Sequence, residues 1–267
     1  MVDLVAGCRA KLDRAQELIN LLQVDAEHYF EQFPVRLEKE HRNDGLEFSL
    51  VAYGDEAPPA RFAVIAGEII HHMRSSLDHL VHALVLKNGG KPGRFNQFPI
   101  CTTERAFKDS CNRRQLDGIP SAAKALVASV QPFTSPTPDD TILHMVSEFD
   151  NTDKHRLLVV VTAMADVTET IHIGHKQLTD TSQEREENAP AIVGFGPFGP
   201  KPLSKEGVPV FTIKLQTPAP EFTADAPVLP TLSFEQCGRV QYAPLISTLQ
   251  NLLYGTGHTV NMFKEFV

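Results

Sequence analysis

RFAVIAGEIIHHMRSSLDHLVHALVLK, residues 61–87, decides the fold. Pro58 and Pro59 stand before it and Asn88-Gly89-Gly90 after it, which are start and stop signals of a helix. Wound at about 3.6 residues per turn, its middle places Ile69, Ile70, Met73, Leu77, Leu80, Val81 and Leu84 on one half of the cylinder. The other half collects Glu68, His71, His72, Arg74, Ser75, Asp78, His79 and His82. A helix divided in this way packs one face on a core. Its polar half is unlike an ordinary solvated face, which uses Lys and Glu: it carries four His, one Arg and two acids.

Working outward, residues 3–31 repeat Leu4, Leu12, Ala15, Leu18, Ile19 and Leu22 at helical spacing, a first long helix. Between it and the second, Val35–Glu38 and Leu46–Leu50 alternate with period two around Asn43-Asp44-Gly45, predicting a β-hairpin over 35–53. Prolines 92, 99, 120, 132, 136 and 138 break the stretch that follows, leaving room for short helices near 103–111 and 121–130. Asp139 and Asp140 suit a helix N-terminus, and the apolar run behind them predicts a third long helix over 139–164. Period-two segments at Ile171–Ile173, Ala191–Val193, Val210–Leu215 and Leu232–Phe234 predict a small sheet within 168–236, and residues 240–266 a fourth long helix. The expected fold is therefore α+β and mainly helical, one domain over 1–267. Four long helices form an up-and-down bundle, with a small antiparallel sheet inserted after helices one and three.

A chain of 267 residues, 42% of them hydrophobic, can bury a substantial core. Its formal charge of −8 argues against bulk nonspecific DNA binding and leaves room for a local basic site. The start Met1-Val2-Asp3-Leu4 lacks the pattern of a secretory signal, and the apolar run Leu157–Ala165 falls far short of the ~20 residues a membrane span needs. Cys8, Cys101, Cys111 and Cys237 show no Cys-x-x-Cys pairing and read as thiols of a reducing cytoplasm. The expectation is a cytoplasmic protein without a membrane partner.

The third helix adds a second polar stripe, since His144, Glu148, Asn151 and His155 fall at i, i+4, i+7 and i+11. A polar stripe on an otherwise apolar helix needs partners, and the histidine-rich face of the second helix is the expected one. The candidate site thus takes Arg74, Asp78 and His79 as its chemical centre, with His71, His72, Glu148, Asn151, Lys154 and His155 as binding residues. Histidine changes charge near neutral pH and can move a proton, while Arg fits a phosphate. The plain alternative is an Arg74–Asp78 ion pair at i,i+4 on a solvated face, or a buried network that fixes helix register.

Arg74-Ser75-Ser76-Leu77-Asp78-His79 resembles the Arg-x4-His motif of the HEPN superfamily, helical domains that include metal-independent ribonucleases of toxin and anti-phage systems. That resemblance implies His79 as general acid/base, Arg74 as phosphate clamp, Asp78 as the residue that orients one of them, RNA as substrate and a homodimer. The string Gly67–Leu80, with Phe98-Pro99-Ile100, Gln131-Pro132-Phe133 and Asp153-Lys154-His155-Arg156, is also similar to bacterial proteins of unknown function over roughly 60–160.

Two other classes stay open: a noncatalytic helical scaffold or ligand-binding protein, and a metal-dependent enzyme using Glu68 with His72 or His144 with Glu148. No His-Glu-x-x-His pair supports the latter, Arg74 would repel a cation nearby, and no cofactor is expected. Gly194–Gly199 matches a dinucleotide-binding glycine pattern, but Pro200, Pro202, Gly207 and Pro209 forbid the helix it must open. Gly89-Gly90-Lys91-Pro92-Gly93 lacks the spacing of a phosphate loop, Ser75 and Ser76 lie mid-helix, and His172 and His175 point to opposite faces of a strand.

Overall fold

The helix anticipated at 61–87 is α2, Ala60–Lys87, and its seven anticipated core residues, Ile69, Ile70, Met73, Leu77, Leu80, Val81 and Leu84, are all fully buried. The computed structural model describes residues 5–54, 56–164, 172–175, 190–196, 201–226, 229–237 and 240–267. The polar run Thr179–Asn188 and residues 197–200 of the glycine- and proline-rich stretch lie outside them. The described residues form an α+β chain with six α-helices and small antiparallel sheets.

In chain order these are α1 (Ala6–Gln32), β1 (Arg36–Arg42), β2 (Glu47–Tyr53), α2, α3 (Glu104–Asn112), α4 (Ser121–Ser129) and α5 (Ile142–His155). Then follow β3 (Val160–Met164), β4 (His172–His175), β5 (Ile192–Gly196), β6 (Val208–Leu215), β7 (Phe222–Asp225), β8 (Pro230–Cys237), β9 (Val240–Pro244) and α6 (Leu245–Met262). No helix among the described residues is long and apolar enough to cross a membrane.

The contacts divide the chain into two compact units: Met1–Asp25 with Pro59–Val160 and Gln236–Val267, and Ala26–Pro58 with Val161–Glu235. In the first, α2, α5 and α6 pack against one another. Its core joins Leu77, Leu80, Val81 and Leu84 of α2 to Phe98, Val127, Leu143 and Phe263. In the second, the hairpin β1–β2 turns at Asn43, Asp44 and Gly45, all with left-handed φ (51°, 54° and 87°). It continues into one four-stranded sheet, ordered β1-β2-β6-β5. Phe48, Leu50, Phe211, Ile213 and Phe222 fill the core beneath it.

Two helices differ from expectation in their bounds. The third long helix does not run over 139–164. A 3-10 turn occupies Pro138–Asp140, and Thr141 caps α5 by accepting the His144 N–H at 3.4 Å. The helix stops at His155 because Arg156 is extended (φ −159°, ψ 150°). The β-branched run Val159-Val160-Val161-Thr162 beyond it favours a strand over a helix, and β3 begins at Val160. Likewise the fourth helix does not begin at 240: residues 240–244 are β9, and Pro244 stands at the N-cap of α6.

Candidate functional site

Arg74 and Asp78 are one turn apart on α2 and meet as anticipated, the Arg74 Nη1 donating to Asp78 Oδ1 at 2.9 Å. Both also reach a third group. Arg74 Nη2 donates to the carbonyl of Phe98 at 2.8 Å, and the Phe98 N–H donates to the same Asp78 Oδ1 at 2.8 Å. The result is a closed ring in which a cation and an anion satisfy both polar groups of one peptide residue. Phe98 itself is fully buried and stands edge-on to Phe263. Its backbone enters the core with its side chain and cannot be left without partners.

The next residues are held in the same manner from the other side. Gln131, 1% exposed, accepts the Cys101 N–H at 2.9 Å and donates to the carbonyls of Pro99 (2.9 Å) and Val127 (3.1 Å). Phe98-Pro99-Ile100 and Gln131-Pro132-Phe133 are thus two halves of one latch, with Arg74 and Asp78 as its third part.

His79 faces elsewhere. A Cβ on Gly7 of α1 would lie 2.5 Å from His79 Nδ1, so the absence of a side chain at residue 7 admits the imidazole against that helix. Burial lowers the His79 pKa, helped by Lys11 and His82, with Asp78 opposing. His72, two turns earlier, is lowered in the same way by burial, then by Lys11, His71 and Arg14 against Glu68. Its Nδ1 is buried without a hydrogen-bond partner among the described residues. The polar half of α2 therefore splits: His72 and His79 belong to the α1 side, Arg74 and Asp78 to the Phe98 side.

The contact between α2 and α5 joins two anticipated residues, His71 and Lys154, through Asp150, which the spacing argument passed over. Asp150, with its side chain 3% exposed, accepts from His71 Nδ1 at 3.1 Å and from Lys154. Asp153 lies directly against Gly67, where any Cβ would collide with its carboxylate. Burial first, then the neighbouring charges of Asp150 and Glu68, raise the Asp153 pKa, while His71 opposes them. One signal in the sequence could have found Asp150. It continues the apolar stripe Leu143, Val146 at i+7, where an acid requires a partner.

The anticipated stripe on α5 borders a groove lined by residues of α5 itself and its C-cap. His144, Glu148, Asn151 and His155 line one open groove of about 430 Å³, together with Ser147, Thr152 and Arg156. His144 Nε2 stands 3.5 Å from Glu148 and 3.8 Å from Asp139. Lys154 stands outside the stripe and pairs with Asp150. Among the described residues no group of three or more His, Cys, Asp or Glu side chains is placed to hold a metal ion. His172 and His175 lie on β4, in register with Asp225 and Phe222 of β7.

No protein-family model, curated protein or solved structure matches the chain. Geometry must decide between its chemical readings. The ring at Phe98 can hold a peptide segment in place, the imidazole of His79 can accept a proton at neutral pH, and the α5 groove offers polar groups to a ligand.

Proposed function

We propose that the chain is a noncatalytic, ligand-binding helical protein in which Arg74 and Asp78 form a structural clamp on the segment Phe98–Cys101. The observation that carries this reading is the closed ring. The Arg74 side chain is 14% exposed and already donates to a carboxylate and a carbonyl. Swinging it out to neutralise a phosphate would leave the buried Phe98 carbonyl unpaired and the Asp78 carboxylate without its cation, a cost of about 2–4 kcal/mol. A residue kept for transition-state binding is not usually spent on the scaffold in this way.

One observation favours the HEPN-like ribonuclease as the second reading. His79 is an exposed residue whose ring is desolvated on the side that meets α1, and this lowers its pKa, the direction a general base needs. With Arg74 engaged, a second copy of the chain would have to supply the phosphate-binding cation, so that reading requires a homodimer. Both readings take the long helices as an up-and-down bundle and the chain as cytoplasmic. The deciding experiment incubates purified protein with RNA in the presence of a chelator. The clamp reading expects no cleavage above that of an Arg74→Ala, His79→Ala double variant. Chelator-resistant cleavage lost in the His79→Ala variant, with the fold intact, would establish the ribonuclease instead.

A further inference from the structure

The chain carries a formal charge of −8, yet one cavity beside the end of α2 is basic. Lys91, Arg94 and Arg114 line it, with Asp117 as the carboxylate among its lining residues. Asp117 occupies Nε of Arg114 at 2.7 Å, a pairing that does not require the terminal guanidinium nitrogens. Phe95 supplies an aromatic ring that is 47% exposed, and the Arg94 guanidinium stands 4.6 Å from its centre. Such a volume, about 530 Å³, is far more than an inorganic anion fills and suits a small organic ligand.

The cavity is also built in advance. Asn96 fastens its two walls together, accepting the Gly93 N–H at 2.8 Å and donating to the carbonyls of Gln115 (3.2 Å) and Asp117 (3.0 Å). Asn88 donates to the Gly118 carbonyl at 3.0 Å. Its floor is Val85, and a Cβ at Gly90 or Gly118 would lie 3.0 or 3.2 Å from that side chain, so both glycines leave the floor open. Arg114 holds a left-handed backbone (φ 66°), a conformation that a non-glycine residue keeps only when its surroundings impose it.

We infer that this cavity is a mononucleotide site, with Lys91, Arg94 and Arg114 receiving the phosphate and Phe95 stacking on the base. Cations give the phosphate its charge-assisted hydrogen bonds, and an exposed aromatic ring gives any base a surface to stack on. Because the walls are preformed, little ordering cost falls on the ligand-bound state. This names a ligand for the binding protein proposed above, and the two ideas fail separately. The clamp is judged by stability, the cavity by affinity.

The test is calorimetric titration of the full chain at low ionic strength with adenosine monophosphate, adenosine and inorganic phosphate. The monophosphate is expected to bind at least ~10-fold more tightly than either part alone. A Lys91→Ala, Arg94→Ala double variant should lose about 10-fold or more in affinity at an unchanged melting temperature, since both side chains are exposed. Phe95→Ala should weaken the monophosphate and leave inorganic phosphate as it was. Three results would overturn the inference: adenosine binding as tightly as its monophosphate, the double variant binding like the unaltered chain, or binding of an RNA oligonucleotide without any of the mononucleotide.

Discussion

Replacing Gln131 with Ala removes the neutral half of the latch and leaves the charged clamp untouched. Three backbone groups lose their partner at once, the Cys101 N–H and the carbonyls of Pro99 and Val127, and the side chain that served them is 1% exposed. The Val127 carbonyl lies in the last turn of α4, where a helix cannot satisfy it internally. Each unpaired buried group costs about 1–3 kcal/mol, reduced where water enters the space vacated, so the sum is about 3–5 kcal/mol. At about 2–4 °C per kcal/mol for a chain of this size, melting should fall by roughly 10 °C or more. Gln131→Glu is the informative companion. It keeps an acceptor for Cys101 but sets an oxygen against two carbonyls, and its ionised form is the worse of the two. The Glu variant should therefore melt lower at pH 7 than at acid pH, relative to the unaltered chain. Differential scanning calorimetry checks both variants. If the Ala variant melts within about 2 °C of the parent, the segment 98–101 is not held by Gln131 and the latch argument is wrong.

Further outcomes follow from the helix contacts. Asp153 has a raised pKa, so its ionised form is disfavoured by the fold. The penalty is present above the folded pKa and disappears as pH falls below the ordinary aspartate value. Asp153→Asn should accordingly stabilise the protein at neutral pH, with the gain closing as pH drops through the carboxylate range in urea melts. A constant gain at all pH values would contradict the assigned cause. Gly7→Ala sets a Cβ 2.5 Å from His79 Nδ1 and should cost about 1–3 kcal/mol of overpacking despite the better helix former. Adding His79→Ala should recover most of it, and a thermal double-mutant cycle showing no coupling would refute the contact.

Much of this architecture is legible in the chain. The clean division of α2 into halves gives seven of its buried residues, because helical period reports burial directly, while small buried residues such as Ala66 and Ser76 carry no such mark. Turn chemistry at Asn43-Asp44-Gly45 did the same for the hairpin. The end of α5 was hidden, since Leu157–Val161 continues the apolar character of the helix while Val160 and Val161 belong to β3. Joining of the hairpin to β6, more than 150 residues away, has no local signature at all.

For the site, the spacing of Arg74 and Asp78 foretold their ion pair. What it could not reveal was the third member, because a backbone carbonyl and N–H carry no sequence mark. Gly7 and Gly67 likewise read as ordinary helix residues until a side chain from another helix is seen above them. The period of α5 brings its four stripe residues to one groove, while polarity alone does not distinguish a groove wall from a helix interface.

The claim most exposed to test is that Arg74 serves the fold. Loss of its two hydrogen bonds strands the Phe98 carbonyl and takes the cation from Asp78, which keeps only the Phe98 N–H, at about 2–4 kcal/mol. The melting temperature of Arg74→Ala should therefore lie roughly 5–15 °C below that of the parent chain. An Arg74→Ala protein that melts with the parent would contradict the account and return Arg74 to the pool of residues free for catalysis.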